Sequence, residues 1–287
     1  MKKLFVPLMT AFDEDENVNY GETAKLAASL LKEGADGIYA IGSSSECYHL
    51  SEDERIELLK AVVDAAEGAS VIAHVGCIGT RRTIALAERA AKAGATGLSS
   101  VPPFYFHYTF ASVKQFYWDL ADATGLPLMI YYYPYNTGLS LSADEIAEII
   151  NGRKNIDSIK FTDGDFYLME QVRQRTPGKH IMSGKDQCFL SALAVGADGA
   201  IGTTQNFALG HFRKIAEYAE KGDLARAAAV QRKLNNIIAA CGSNIFGAGK
   251  AILDHKGFCM GNGRRPFLPL SNEGRRRMIE IYEQNLI

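Results

Sequence analysis

Metal-ligand spacings are missing from this chain. Its six histidines show no His-x-His or His-Glu-x-x-His arrangement. Its five cysteines (Cys47, Cys77, Cys188, Cys241 and Cys259) form no Cys-x-x-Cys pair. Neither a metal site nor a disulfide framework is indicated, so metal catalysis is not expected and a reduced, cytoplasmic setting is. Charge of one sign is missing too: 31 Lys and Arg face 33 Asp and Glu, a formal net charge of -2. Such a balance draws in neither nucleic acid nor an anionic membrane surface. No apolar run approaches the ~20 residues of a membrane span. The run Leu4–Met9 is too short for the apolar region of a signal peptide, and Asp13, Glu14, Asp15 and Glu16 follow it closely. Also absent after the first apolar run is a Gly-x-Gly-x-x-Gly turn, the mark of a dinucleotide-binding open sheet.

What the chain does have is rhythm. Short apolar runs alternate with amphipathic stretches along all 287 residues. Eight runs read as strands: Leu4–Leu8, Gly37–Ile41, Ser70–Val75, Gly97–Val101, Leu126–Tyr132, Ile156–Phe161, His180–Ser183 and Gly199–Gly202. The stretches between them, such as Thr23–Leu31 and Glu54–Ala66, repeat apolar residues at three and four, as helices do. Ser51-x-x-Glu54 and Ser142-x-x-Glu145 are capping boxes. Gly34-Ala35-Asp36-Gly37, Gly94-Ala95-Thr96-Gly97 and Gly196-Ala197-Asp198-Gly199 each close a helical stretch and open a strand. The first glycine of each suits the left-handed position that ends a helix.

Short apolar strands separated by helices form a parallel sheet buried on both faces. Eight of them favour closure, and barrels of this kind run to about 250 residues as one domain. The fold class is therefore α/β, a (β/α)8 TIM barrel with an appended C-terminal helical layer. The barrel core is expected over 1–206, through strand 8. Residues 207–287 then hold the last barrel helix and the C-terminal helices (Phe207–Glu220, Leu224–Ala240, Gly247–His255 and Glu273–Asn285) within the same structural domain.

In such barrels the chemistry lies at the C-terminal ends of the strands and in the loops beyond them. That rule selects Gly42–Glu46, Pro102–Tyr108, Tyr131–Gly138, Lys160–Thr162, Ser183–Gln187 and Thr203–Asn206. Lys160 stands out among them, flanked by Ile159 and Phe161 in a strand. A buried ammonium tends to lose its proton, and a neutral amine is what attack on a ketone requires. The plainer alternative is a lysine that snorkels to solvent at the strand end. Tyr131 stands at the depth of Lys160 if the two strands match in register; there a phenol can pass protons. Tyr132 and Tyr133 read as packing residues. Gly42-Ser43-Ser44-Ser45-Glu46 offers hydroxyls and backbone amides to a carboxylate. Read plainly, it is a serine-rich turn.

Together these segments resemble the pyruvate-dependent class I aldolase family that includes N-acetylneuraminate lyase and dihydrodipicolinate synthase. Gly42-Ser43-Ser44-Ser45-Glu46 resembles the family's Gly-x-x-Gly-Glu loop, and Pro103-Phe104-Tyr105 the segment whose tyrosine enters a neighbouring subunit's site. Tyr131-x-x-Pro134-x-x-Thr137-Gly138 resembles the proton-relay motif, and Ile159-Lys160-Phe161-Thr162 the Schiff-base segment. The resemblance implies Lys160, Tyr131, Ser44 and Tyr105 as catalytic residues, Tyr131 being linked to Ser44 and to a second subunit's Tyr105. It implies Ser43 and Ser44 as holders of the 2-oxo acid carboxylate. Through likeness to the N-acetylneuraminate lyase branch, Thr162, Gly184, Asp186, Gln187 and Thr203 bind the polyhydroxylated part. It further implies a homotetramer, no cofactor, and cleavage of a sugar-derived 2-oxo acid, N-acetylneuraminate first, to pyruvate and an aldehyde.

Dihydrodipicolinate synthase is a competing expectation, but that branch carries an arginine two residues after the motif proline. Here Asn136 stands there and a charged grip on a second carboxylate is lost. A 2-oxo-3-deoxy sugar acid aldolase and a non-catalytic 2-oxo-acid-binding barrel are the other competitors. Three residues depart from the lyase pattern. Ser45 replaces glycine, which at a positive φ would cost about 1 kcal/mol. Gln187 replaces glutamate, and Gln205 stands where tyrosine is common.

Overall fold

The computed structural model describes residues 1–287. Its strands are β1 (Lys3–Pro7), β2 (Gly37–Ala40), β3 (Ser70–His74), β4 (Gly97–Ser100), β5 (Leu128–Tyr132), β6 (Ile156–Phe161), β7 (His180–Ser183) and β8 (Gly199–Ala200). Each pairs in parallel with the next, and β8 closes onto β1. All eight expected strands are present, several of them shorter than the apolar runs that announced them. Ile41 explains one case: its φ of 51° turns the chain out of β2 before the apolar run is over. At β8 only two residues stay in the ladder, because Gly202 and Thr203 already belong to the turn that feeds the next helix.

Local signals account for the helix ends. Both capping boxes form, with Ser51 and Glu54, and Ser142 and Glu145, satisfying each other's free amides. Gly34, Gly94 and Gly196 take φ values of +99°, +94° and +100° after their helices, as the repeat implied. The C-terminal layer consists of the helices Gln205–Glu220, Leu224–Cys241, Ile245–His255 and Asn272–Gln284. The first of these begins two residues earlier than expected and is kinked at Ala208 (φ −132°). Three short elements escaped notice in the sequence: the 3-10 turns Ser43–Ser45 and Asp186–Cys188, and the helix Pro134–Thr137. None is long enough to show a helical period.

Strand alternation divides the apolar residues into two sets. Ile38, Ala40, Ile130, Tyr132, Ile159, Phe161 and Ile181 face outward and join the large core between barrel and helices. Tyr39, Val101, Met129, Tyr131, Met182 and Ile201 form a small separate cluster inside the barrel. Because Ile159 and Phe161 point out, the residue between them points in. That residue is Lys160.

Candidate active site

A local irregularity sets the depth of the central pair. Leu128 pairs with Ile156, yet Met129 pairs with Ser158, so Asp157 has no partner in β5. From there the register runs on to Tyr131 opposite Lys160. Without the extra residue, Tyr131 would stand level with Ile159, which faces the helices. Lys160 Nζ lies 4.1 Å from the centroid of the Tyr131 ring and 4.5 Å from that of Tyr39. The lysine is 4% exposed, which excludes the snorkelling alternative. Burial pulls its ammonium down to about 7, with Asp186 pulling the other way.

Burial pushes the Tyr131 phenol well above its ordinary value, opposed in part by the Ser43 and Thr162 hydroxyls beside it. The phenol is therefore protonated at rest. Its ring stacks on Tyr133 at 5.7 Å and meets His74 edge-on at 6.0 Å. Tyr132 packs outward against Phe161, whereas Tyr133 supports the reactive ring.

The Gly42–Glu46 loop folds as a 3-10 turn over Ser43–Ser45, where the first amides of such a turn have no partner within it. Two non-glycine residues with positive φ bracket it, Ile41 at 51° and Glu46 at 57°. The strain anticipated at Ser45 therefore falls on its neighbours. Ser45 itself is not left-handed, and its Oγ donates to Leu8 O at 2.6 Å, tying the loop to the end of β1. Ser44 Oγ and Thr203 Oγ1 are 2.7 Å apart. The turn thus aims Ser44 at the end of β8 and away from Tyr131, and it is the Ser43 hydroxyl that acts on the phenol.

Beyond β7 and β8 the packing is tight. A Cβ at Gly184 would overlap Thr162 Oγ1 and press on Lys160 Cε, and a Cβ at Gly202 would overlap Asp186 Oδ1. Asp186 Oδ2 accepts from Thr204 N (2.9 Å) and Thr204 Oγ1 (2.7 Å). Burial raises the Asp186 carboxyl, and the Thr204 bonds oppose that rise. Its Oδ1, together with Thr162 Oγ1 and both amide atoms of Gln205, is buried without a hydrogen-bond partner. Buried polar atoms are rarely left so. Gln187 is exposed, its carbonyl accepting from Asn235 Nδ2.

Lys160, Tyr131, Ser43, Ser44, Thr162, Gly184, Asp186 and Thr203 thus surround one barrel mouth. Tyr105 does not join them within this chain. It is 83% exposed, left-handed at φ 77°, and packed edge-on against Phe106. Sequence reasoning missed Tyr39 and His74, both wholly buried at this end of the barrel. Strand alternation places Tyr39 inward two residues before Ile41. His74 ends β3, one of two strands, with β1, whose C-terminal loops supplied no candidate in the sequence. Burial holds the His74 imidazole well below its ordinary value, so it stays neutral.

A cavity of about 420 Å³ opens at the opposite, N-terminal end of the barrel, lined by Phe5, Ile72, Met129 and Met182 with Asp36 and Asp198. Those two carboxylates are held by Arg213 and Arg173 respectively. The cavity lacks the lysine and stands at the wrong end of the strands for barrel chemistry. No group of three His, Cys, Asp or Glu side chains converges to hold a metal. No helix is long and apolar enough to cross a membrane.

Comparison with known proteins agrees with this geometry. N-acetylneuraminate lyase from Lactiplantibacillus plantarum is 35% identical over 286 residues, 99% of this chain and 98% of the relative. Among solved structures, CdNal from Clostridium difficile in complex with mannosamine superposes with a TM-score of 0.96 at 30% identity, covering 100% of this chain and 99% of that one. N-acetylneuraminate lyase from Fusobacterium nucleatum complexed with pyruvate superposes at 0.93 with 31% identity, covering 100% and 98%. The dihydrodipicolinate synthetase family model matches residues 1–285. With its Lys160–Tyr131 couple inside a closed eight-stranded barrel, this chain belongs to the dihydrodipicolinate synthetase family.

Proposed function

We propose that this protein is a Schiff-base-forming lyase that cleaves a sugar-derived 2-oxo acid, N-acetylneuraminate, to N-acetylmannosamine and pyruvate. The observation that carries the reading is Lys160: an amine enclosed between two aromatic rings, drawn by burial to about 7, so that much of it is neutral at physiological pH.

The geometry supports the following course. Neutral Lys160 Nζ attacks the C2 carbonyl carbon of the open-chain acid, and loss of water gives an iminium. The carboxylate rests on the Ser43 and Ser44 hydroxyls and on the first amides of their turn. The phenolic proton of Tyr131 departs with the carbinolamine hydroxyl as that water, and the fixed positive charge about 4 Å below the ring stabilises the phenolate left behind. Tyr131 can then take the proton of the C4 hydroxyl. The C3–C4 bond breaks, its electron pair moves toward the iminium, and the aldehyde leaves. Protonation of the resulting enamine at C3 and hydrolysis of the imine release pyruvate and restore the lysine. Thr162, Gly184, Asp186, Gln187 and Thr203 hold the hydroxyl-bearing portion, the buried unpartnered oxygens of Asp186 and Thr162 being its strongest anchors. Tyr105, exposed here, serves the site of an adjoining subunit in a homotetramer, a role its outward position supports.

Dihydrodipicolinate synthesis is disfavoured by Asn136, an exposed neutral residue where that reaction needs a cation. Incubation with pyruvate and a borohydride reductant should add one pyruvate-derived mass at Lys160, and N-acetylneuraminate should yield pyruvate. Failure to label, or equal labelling of Lys160→Ala, would overturn the Schiff-base reading. Labelling without turnover of N-acetylneuraminate would confine it to another 2-oxo acid.

A further inference from the structure

The most deeply buried ion pair in the protein lies behind the candidate carboxylate turn. Lys250 Nζ stands 2.9 Å from Glu46 Oε1, with the two side chains 1% and 0% exposed. Glu46 is the residue that ends the Ser43–Ser45 turn, and it holds a left-handed backbone there at φ 57°. Lys250 belongs to the C-terminal helix Ile245–His255, 204 positions further along the chain by subtraction of the two residue numbers. Its ammonium also donates to Asn262 O (2.8 Å) and lies 4.3 Å from the centroid of the Phe12 ring. The second Glu46 oxygen accepts from the Arg264 amide at 2.8 Å. Arg264 in turn donates to Glu16 O and His49 O and pairs with Glu54 on the helix that follows the loop. No part of this cluster takes part in the chemistry described above.

A buried pair of this kind is weak as a source of stability, since desolvation offsets much of the attraction. What it does supply is a fixed position. A left-handed glutamate is strained and persists only when its surroundings over-determine it. Here one carboxylate oxygen accepts from the Arg264 amide and the other faces the Lys250 ammonium as an ion pair without a hydrogen bond, while Thr10 Oγ1 donates to Ser45 O and Ser45 Oγ to Leu8 O from the barrel side. The pair has an electrostatic consequence as well. Glu46 would otherwise set an uncompensated negative charge beside the turn that receives a carboxylate.

We infer that Glu46 and Lys250 are positioning residues for 2-oxo acid binding: through their ion pair the C-terminal helical layer sets the Ser43–Ser45 turn and cancels the charge behind it. This rests on the reading of that turn as the carboxylate site. It also assigns the appended helices a function in a reaction they never touch.

The test measures reductive trapping of pyruvate on Lys160 against pyruvate concentration, with circular dichroism as the check on folding. Lys250→Met should raise the half-saturating concentration about tenfold or more, with the limiting trapping rate changed by less than about threefold, the signature of lost binding. Lys250→Arg should return it to within about threefold of the native value by keeping the cation. Glu46→Gln with Lys250→Met leaves no buried charge unpaired, and it decides between positioning and bulk stability. Folded with half-saturation still raised, this double variant supports the proposal. Folded with native half-saturation, or unable to fold, it assigns the pair to the fold alone and overturns the proposal. If the unaltered protein traps no pyruvate, the carboxylate-site reading itself falls and the inference with it. Trapping that is normal in the native protein and unchanged in the double variant sinks the inference alone.

Discussion

The proton balance of Lys160 can be tested without any mutation, by changing pH. With the amine at about 7, the neutral fraction is about a tenth at pH 6, half at pH 7 and nine tenths at pH 8. Attack on pyruvate requires the neutral form, so the rate of imine formation should rise roughly tenfold from pH 6 to pH 8 and then level off. An unburied lysine at its ordinary value would behave otherwise: the rate would rise about a hundredfold over that interval and keep climbing. Single-turnover trapping with cyanoborohydride, read by intact-protein mass, distinguishes the two curves. A log-linear rise past pH 9 would refute the claim that burial activates this lysine.

The same shift has a thermodynamic face. Between about pH 7 and 10.5 the unfolded lysine holds its proton while the folded one largely does not, so the unfolded chain binds more protons and stability rises with pH. The penalty for burying the cation is fully present below about pH 7 and absent above 10.5, about 5 kcal/mol in all at 1.36 kcal/mol per unit. Lys160→Met should therefore gain on the native protein in urea denaturation by a margin that widens from pH 9.5 down to pH 7. A margin that does not change with pH would contradict the argument.

Two further outcomes follow from the mouth of the barrel. Tyr131→Phe should lower turnover of the sugar acid by about 10²–10⁴ while pyruvate still forms its adduct on Lys160; equal loss of both would deny the phenol its separate role. Asp186→Ala should raise KM for the sugar acid about tenfold or more through loss of a charge-assisted contact, while pyruvate is still trapped on Lys160 with its pH dependence moved to lower pH, because the Asp186 charge no longer holds the ammonium up. Gly202→Ala, whose methyl takes the place of Asp186 Oδ1, should raise KM likewise. Unchanged KM in both variants would remove Asp186 from the substrate's surroundings.

The strand-helix order was legible because it rests on local patterns. The helix-ending glycines, the two capping boxes and the apolar runs each carry their own physical signal, and the structure repeats them in place. Lys160 was legible for the same reason, as a charge set within an apolar strand. What stayed hidden depends on residues far apart in the chain. Nothing near Glu46 announces Lys250, and nothing near Asp157 announces a register shift, since both features exist only once distant segments meet. The strain around the serine turn was anticipated from glycine's usual place at Ser45. The chain instead puts it on Ile41 and Glu46, where tertiary contacts hold residues that local preference disfavours.

The unmatched Asp157 also bears on how such a scaffold can be re-purposed. One inserted residue inside β6 brings lysine and phenol to a common height, so the reactive couple is a property of the sheet and not of the segments that decorate it. Loops 184–187 and 203–205 can then be exchanged or lengthened to admit other aldehydes without changing the height of the nucleophile, provided Gly184 and the Asp186 carboxylate beside Lys160 are kept. The barrel acts as a chassis with fixed ignition and replaceable jaws. An engineer seeking a new carbon–carbon cleavage should leave β5 and β6 alone and randomise only the rim.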